Sequence, residues 1–120
     1  MSKVFTDVQV FMDAAGQTTT ENNPTQAQLY KNLIKEEVQE FWEAESINDD
    51  VEEIDACFDM IWVIVGYMLS RGWQPSRIWD EGALSNLRKI DKESKKVLKR
   101  EDGKVLKPEG WKPPDFTKFV

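Results

Sequence analysis

Residues 33–69 read LIKEEVQEFWEAESINDDVEEIDACFDMIWVIVGYML. Apolar residues recur at helical spacing through this stretch and merge at its end into ACFDMIWVIVGYML (56–69), a run broken by one charge, Asp59. Glu36, Glu37, Glu40, Glu52, Glu53 and Asp55 stand upstream of it. An ionised carboxylate placed in a core is costly unless it is paired or binds a cation. What these carboxylates do on helices that must also bury an apolar face decides both the fold and the function.

The surrounding punctuation predicts helices. Asn23 followed by Pro24 is a strong start signal, a side-chain cap with proline in the first helical position. The helix so begun is expected to run to about Ala44. The loop ESIND (45–49) is short, so the next helix must turn back antiparallel against it. That helix starts near Asp50, capped by Asp49 or Asn48, and continues to Arg71, where Gly72 ends it. Upstream, Val4, Phe5, Val8, Phe11 and Met12 make a short amphipathic helix stopped by Gly16. Downstream, a fourth helix fits Pro75 to about Lys95. Asp102-Gly103 between Val97-Leu98 and Val105-Leu106 reads as a small hairpin, and the Pro-rich end reads as an extended strap.

The expected fold is therefore all-α, a helical bundle of four to five helices with a short C-terminal hairpin and strap. It is read as a single domain, 1–120. Within it, 1–22 are the N-terminal helix and loop, 23–72 the acidic antiparallel pair, 73–96 the fourth helix, and 97–120 the hairpin and tail.

Composition narrows the chemistry. The chain of 120 residues contains no histidine, which removes Ser-His-Asp and Cys-His catalysis and histidine-based zinc sites. Its one cysteine, Cys57, cannot form an intrachain disulfide, which points to a cytoplasmic location. The polar start MSKVFTDVQ does not read as a signal peptide, and about fourteen mostly apolar residues are too few to span a bilayer. The net charge of −6 is unevenly spread. Residues 1–83 hold 5 basic against 16 acidic side chains, and residues 84–120 hold 11 against 6. An acidic body with a basic C-terminal arm is not the pattern of a duplex-binding protein. It suits a site where carboxylates hold cations and basic residues meet phosphates, and equally an acidic solvated surface with a basic tail.

The carboxylates can be placed by angle. Stepping about 100° per residue from Glu36 on the second helix, Glu40 falls near 40° and Glu37 near 100°. Leu29, Leu33, Ala44, Tyr30, Phe41, Ile34 and Val38 occupy the same arc, from about 20° to about 200°. Glu36, Glu37 and Glu40 thus fall on the buried sector, while Lys31, Lys35, Gln28, Gln39, Asn32 and Glu43 fill the remainder. On the third helix Glu52, Asp55 and Asp59 share one stripe and Glu53 is turned away by about 100°. In an antiparallel pair, residues equidistant from the turn lie level. Glu40 with Glu52, and Glu37 with Asp55, are both centred on position 46. Four carboxylates would then face each other across helices about 8–10 Å apart, which repulsion forbids unless cations or protons intervene. Hard divalent ions, Mg2+ or Mn2+, are the natural solution. The simpler alternatives are a capping box between Asp49 and Glu52, and salt bridges for Glu36, Glu37 and Glu40.

At these residues the chain resembles a family. LIKEEVQEF followed by EEIDACFDMIWVIVG is similar to the ExxE…ExxD signature of the all-α nucleoside triphosphate pyrophosphohydrolases, the MazG-like and phosphoribosyl-ATP pyrophosphohydrolase-like group. SNLRK (85–89) and EDGKVLKPEGWKPPDF (101–116) resemble the SNxxK and DGKVxK…PPD elements of a compact phage and bacterial branch. The resemblance spans residues from about 29 to 116. It implies a MazG-like bundle that hydrolyses (deoxy)nucleoside triphosphates to the monophosphate and pyrophosphate with Mg2+, for which Mn2+ can substitute. It implies metal ligation by Glu37, Glu40, Glu52 and Asp55, with Glu36 as an added ligand or, like Glu37, a water-activating base. Asp59 becomes an additional or supporting group one turn beyond. A frame ending at Asp59 would put Ala56 where the signature has glutamate, so the Glu52/Asp55 frame is preferred. Asn86, Lys89 and Lys104 are the expected substrate contacts. Trp62 and Trp79 are candidates for base stacking, with a core role the simpler reading of each.

A short chain with a helix apolar on nearly all sides should bury it against a second copy. The resemblance likewise implies a homodimer or homotetramer, with a nucleotide substrate and neither a nucleic-acid polymer nor a membrane as partner. The host cytoplasm is the expected location if the chain is phage-encoded. Two other readings stand beside this one: phosphoribosyl-ATP hydrolysis, and a non-catalytic acidic helical interaction protein.

Overall fold

The computed structural model describes residues 3–120. Four α-helices form: α1 (Lys3–Ala14), α2 (Pro24–Ser46), α3 (Asp50–Ser70) and α4 (Pro75–Leu87), with a 3-10 turn at Thr117–Phe119. The all-helical expectation holds, since the described residues form isolated β-bridges but no named strand. Packing divides the chain into two units, Met1–Ser76 and Arg77–Val120.

The first unit is built on α2 and α3. The Asn23 side chain accepts from the Gln26 N–H at 3.1 Å, the cap that Asn23-Pro24 predicts. Asp49 caps α3 the same way, accepting from the Glu52 N–H at 3.1 Å. Between them α2 continues two residues beyond the expected end at Ala44, to Ser46. The reversal is made by Asn48 at φ 56, a left-handed conformation that asparagine tolerates. Three pairs fix the register of the antiparallel helices. The Gln26 amide donates to the Ser70 hydroxyl at 2.8 Å, the Tyr30 ring lies against Gly66, and Glu37 meets Asp59. Each pair is centred on Asn48. The centre is two residues later than the sequence suggests, which moves every partner on α3 by four residues, one helical turn.

The core of this unit joins Val8 and Met12 of α1 to Tyr30 of α2 and to Val63, Val65 and Leu69 of α3. Trp62 packs against this core, edge-on to Phe11 with centroids 5.5 Å apart, so its place is structural. Buried Gln26 also donates to the Thr18 carbonyl at 2.8 Å and accepts from its N–H at 3.0 Å. The polar loop before α2 is thereby fixed, and the buried amide is satisfied. One face of α3 stays open: Ile54, Phe58, Ile61 and Ile64 are exposed, and Cys57 is exposed beside them.

In the second unit α4 ends at Leu87, eight residues short of the expected Lys95. The following residues are good helix formers, but a different set of hydrogen bonds captures them. The Asp91 carboxylate accepts from the Ser94 N–H at 2.8 Å, Lys95 turns at φ 62, and Ile90 bridges Val97. The expected hairpin is present as a short ladder: Leu106 N–H donates to Leu98 O at 2.8 Å, Lys99 bridges Val105, and Gly103 makes the turn at φ 87. The strap folds back on α4. The Trp111 indole N–H donates to the Ser85 carbonyl at 2.8 Å, and Phe116 lies within van der Waals reach of a Cβ built on Gly82. Trp79 is 63% exposed, which corrects the core role read for it.

Candidate active site

The register set by Asn48 brings Glu37, Glu40 and Asp59 together, with one carboxylate oxygen from each within 4.8 Å of the others. Glu37 and Asp59 are half-buried and Glu40 is exposed, so the group opens to solvent on one side. The Glu37 Oε2 atom is buried and has no hydrogen-bond partner. When all three carboxyls are ionised there is no donor for it, and the arrangement is electrostatically strained. A proton on Glu37 relieves this by donating to Glu40. Burial first, then that hydrogen bond, then the charges of Asp59, Glu40 and Asp55 push the Glu37 carboxyl from 4.5 up to about 7. The Asp59 carboxyl is also raised, by burial and then by the charges of Asp55 and Glu40, with the Glu37 hydrogen bond opposing.

The simpler explanations for these carboxylates do not apply. The capping box is not closed, because the Asp49 N–H donates to Ala44 O at 3.0 Å rather than to Glu52. The cations of this unit also lie away from the trio. Lys3 pairs with Asp7 at 3.0 Å, Lys35 lines a groove with Val38 and Trp42, and Lys31 and Arg71 line a pocket nearer the start of α2. An all-oxygen donor set with an orphaned buried oxygen fits a hard divalent ion.

The remaining expected residues fall around this group or away from it. Asp55 is near enough for its charge to act on both Glu37 and Asp59, but it lies outside the trio. The pairing of Glu37 with Asp55 is therefore corrected to Glu37 with Asp59, because α2 is longer than the sequence suggests. Glu52 joins Glu40 in lining a cavity of about 390 Å³ at the turn. Glu36 is exposed on α2. In the second unit, the Lys89 ammonium donates to the Asn86 side-chain Oδ1 at 3.1 Å and sits 5.0 Å from the Trp111 ring centroid. Lys104 follows the Asp102 turn, with its backbone N–H donating to that carboxylate at 3.0 Å. Sequence reasoning missed Trp111, which has Lys89 and Lys107 both close to its ring. No local pattern announces the contact of Lys89 with Trp111, residues so far apart in the chain. The central place of Asp59 had a signal, an Asn suited to a left-handed turn at position 48.

An all-helical fold with carboxylates facing each other across an antiparallel pair is what the resemblance to the MazG-like pyrophosphohydrolases implies. The sequence model of the family Phosphoribosyl-ATP pyrophosphohydrolase matches residues 5–86, a span containing nearly all of the four helices. The chain belongs to this family and is a hydrolase acting on a phosphoric anhydride bond. No curated protein matches it.

Proposed function

We propose that the protein hydrolyses (deoxy)nucleoside triphosphates to the monophosphate and pyrophosphate, with the carboxylates of α2 and α3 as its centre. The observation that carries this reading is the buried, partnerless Glu37 Oε2 beside Glu40 and Asp59. Glu37, Glu40 and Asp59 would hold Mg2+ or Mn2+, with Glu52 and Asp55 flanking. When bound, the ion supplies positive charge that offsets the polyphosphate and acidifies water.

The protein's own groups do the rest. Glu36, exposed and outside the trio, is proposed to accept the proton of the attacking water on its carboxylate; Glu37 is the other candidate base. Water attacks phosphorus, and pyrophosphate leaves. Asn86, Lys89 and Lys104 are proposed as phosphate contacts, the lysines as point charges and the amide as a neutral donor. A second copy is proposed to cover the open face of α3. Ile54, Phe58, Ile61 and Ile64 follow one another at the three- and four-residue steps that let a helix pack on its own image. The assembly is a homodimer, or a homotetramer made of two such pairs.

The family match gives equal support to phosphoribosyl-ATP as substrate. Pyrophosphate release from NTPs, dNTPs and phosphoribosyl-ATP, each with and without Mg2+, separates the two readings. Cleavage of a plain triphosphate that needs Mg2+ and is lost in Glu40→Gln is the expected result. Cleavage of phosphoribosyl-ATP alone favours the second reading. Full activity in Glu40→Gln sinks the site.

A further inference from the structure

At the end of the helix pair away from the turn lies a pocket of about 340 Å³ whose chemistry is the reverse of the acidic trio. Asn22, Gln28, Lys31, Tyr67 and Arg71 line it, and no carboxylate does. The first unit has only four basic side chains, Lys3, Lys31, Lys35 and Arg71, against fourteen acidic ones. Two of the four converge on this one pocket.

Arg71 is the informative residue. Its backbone is fixed as the cap of α3, bridged to Asn22 and followed by Gly72, where an added Cβ would press on the main chain of Glu21 and Asn22. Its side chain is fixed too. The guanidinium stacks 4.6 Å from the Trp73 ring centroid and donates to the Tyr67 hydroxyl at 3.0 Å. Among the described residues it has no carboxylate partner. The result is an ordered, half-buried cation without a counter-ion, with a second cation and two amide side chains beside it.

The pocket is separate from the acidic trio. Lys31 precedes Glu37 by six residues, roughly 9 Å along α2 and about 120° around it. Tyr67 follows Asp59 by eight residues, roughly 12 Å along α3. Both displacements run toward the same end of the antiparallel pair, so the two sites occupy different levels and flanks. At the low end of the ligand-pocket range of about 300–1,000 Å³, the volume suits a phosphate on a small carrier better than a whole nucleotide.

We propose that this pocket is a second, metal-independent anion site that binds a phosphate group. The Arg71 fork takes two phosphate oxygens, the Lys31 ammonium supplies a point charge, and the Asn22 and Gln28 amides donate to the remaining oxygens. The phosphate can come from pyrophosphate or from a small phosphate ester such as a sugar phosphate.

The test uses the full chain stripped of metal with EDTA, so that the carboxylate trio cannot hold phosphate through an ion. Binding of inorganic phosphate, pyrophosphate and ribose 5-phosphate is measured by calorimetry, with chloride at matched ionic strength as control. At least one phosphate compound should bind wild type, and Lys31→Gln and Arg71→Lys should each weaken it at least tenfold. The tighter of pyrophosphate and ribose 5-phosphate names the source. Lys31 is exposed, so Lys31→Gln tests the site without disturbing the fold. If no phosphate compound binds, if chloride competes equally, or if Lys31→Gln binds like wild type, there is no such site. None of these outcomes depends on which nucleotide the acidic site cleaves.

Discussion

Glu37 carries a conflict that no neighbouring side chain resolves. Its buried oxygen has no donor, and burial, then the hydrogen bond to Glu40 and the charges of three neighbouring carboxylates, push its carboxyl up to about 7. The folded state therefore holds this proton more tightly than the unfolded chain, where the group titrates near 4.5. Its favourable contribution is complete below about pH 4.5 and disappears as pH rises through about 7, with Asp59 acting in the same direction. Metal-free protein should thus lose thermal stability between pH 5 and 7.5. Glu37→Gln, which cannot ionise, should lose less, with a difference on the order of 5 °C, the shift that roughly 1 kcal/mol gives in a small domain. Scanning calorimetry of both proteins in EDTA checks this. Parallel losses in the two would mean that Glu37 is ionised at no cost and the trio is not strained. That Glu37 belonged on the buried sector was legible from angle alone, since the period of a helix is fixed, whereas Glu36 and Glu40, placed there by the same angles, are exposed. Which of them meet was not, since that depends on where a turn closes.

At the scale of the helices, Asn48 and Gly66 set that alignment. Asn48 places the reversal two residues later than composition suggests, and Gly66 lets the Tyr30 ring lie directly on the α3 backbone. A methyl group at Gly66 would fall inside the ring's van der Waals envelope. Gly66→Ala should therefore destabilise the fold by about 1–2 kcal/mol, even though alanine favours a helix by about 1 kcal/mol. The loss should shrink when Tyr30 is cut to Leu in the same chain, a coupling that urea denaturation of the two single variants and the double variant measures. An unchanged midpoint for Gly66→Ala would mean that the helices separate freely at this contact. The starts of α2 and α3 were plain in the sequence because caps act over three residues. The end of α4 was hidden because the bonds that unwind 88–97 include the bridge between Ile90 and Val97, seven residues apart, which no single-residue propensity reports.

For the whole molecule, the open face of α3 is the surface through which the proposed assembly would form. Phe58 and Ile61 are 57% and 55% exposed, and a monomer gains nothing by displaying both. Phe58→Asp or Ile61→Asp should shift the protein to monomer in sedimentation velocity at micromolar concentration. A wild type that already sediments as a monomer would remove the proposed interface. The apolar character of α3 was evident from sequence, whereas its division into a face covered by α1 and α2 and a face left open needed the three-dimensional packing. The buried carboxylate bears on one further property of the molecule. With no histidine anywhere in the chain, the usual side-chain titrant of the neutral range is missing. Glu37, its carboxyl pushed up to about 7, takes its place, so the protein's charge near pH 7 reports the protonation of the carboxylate trio.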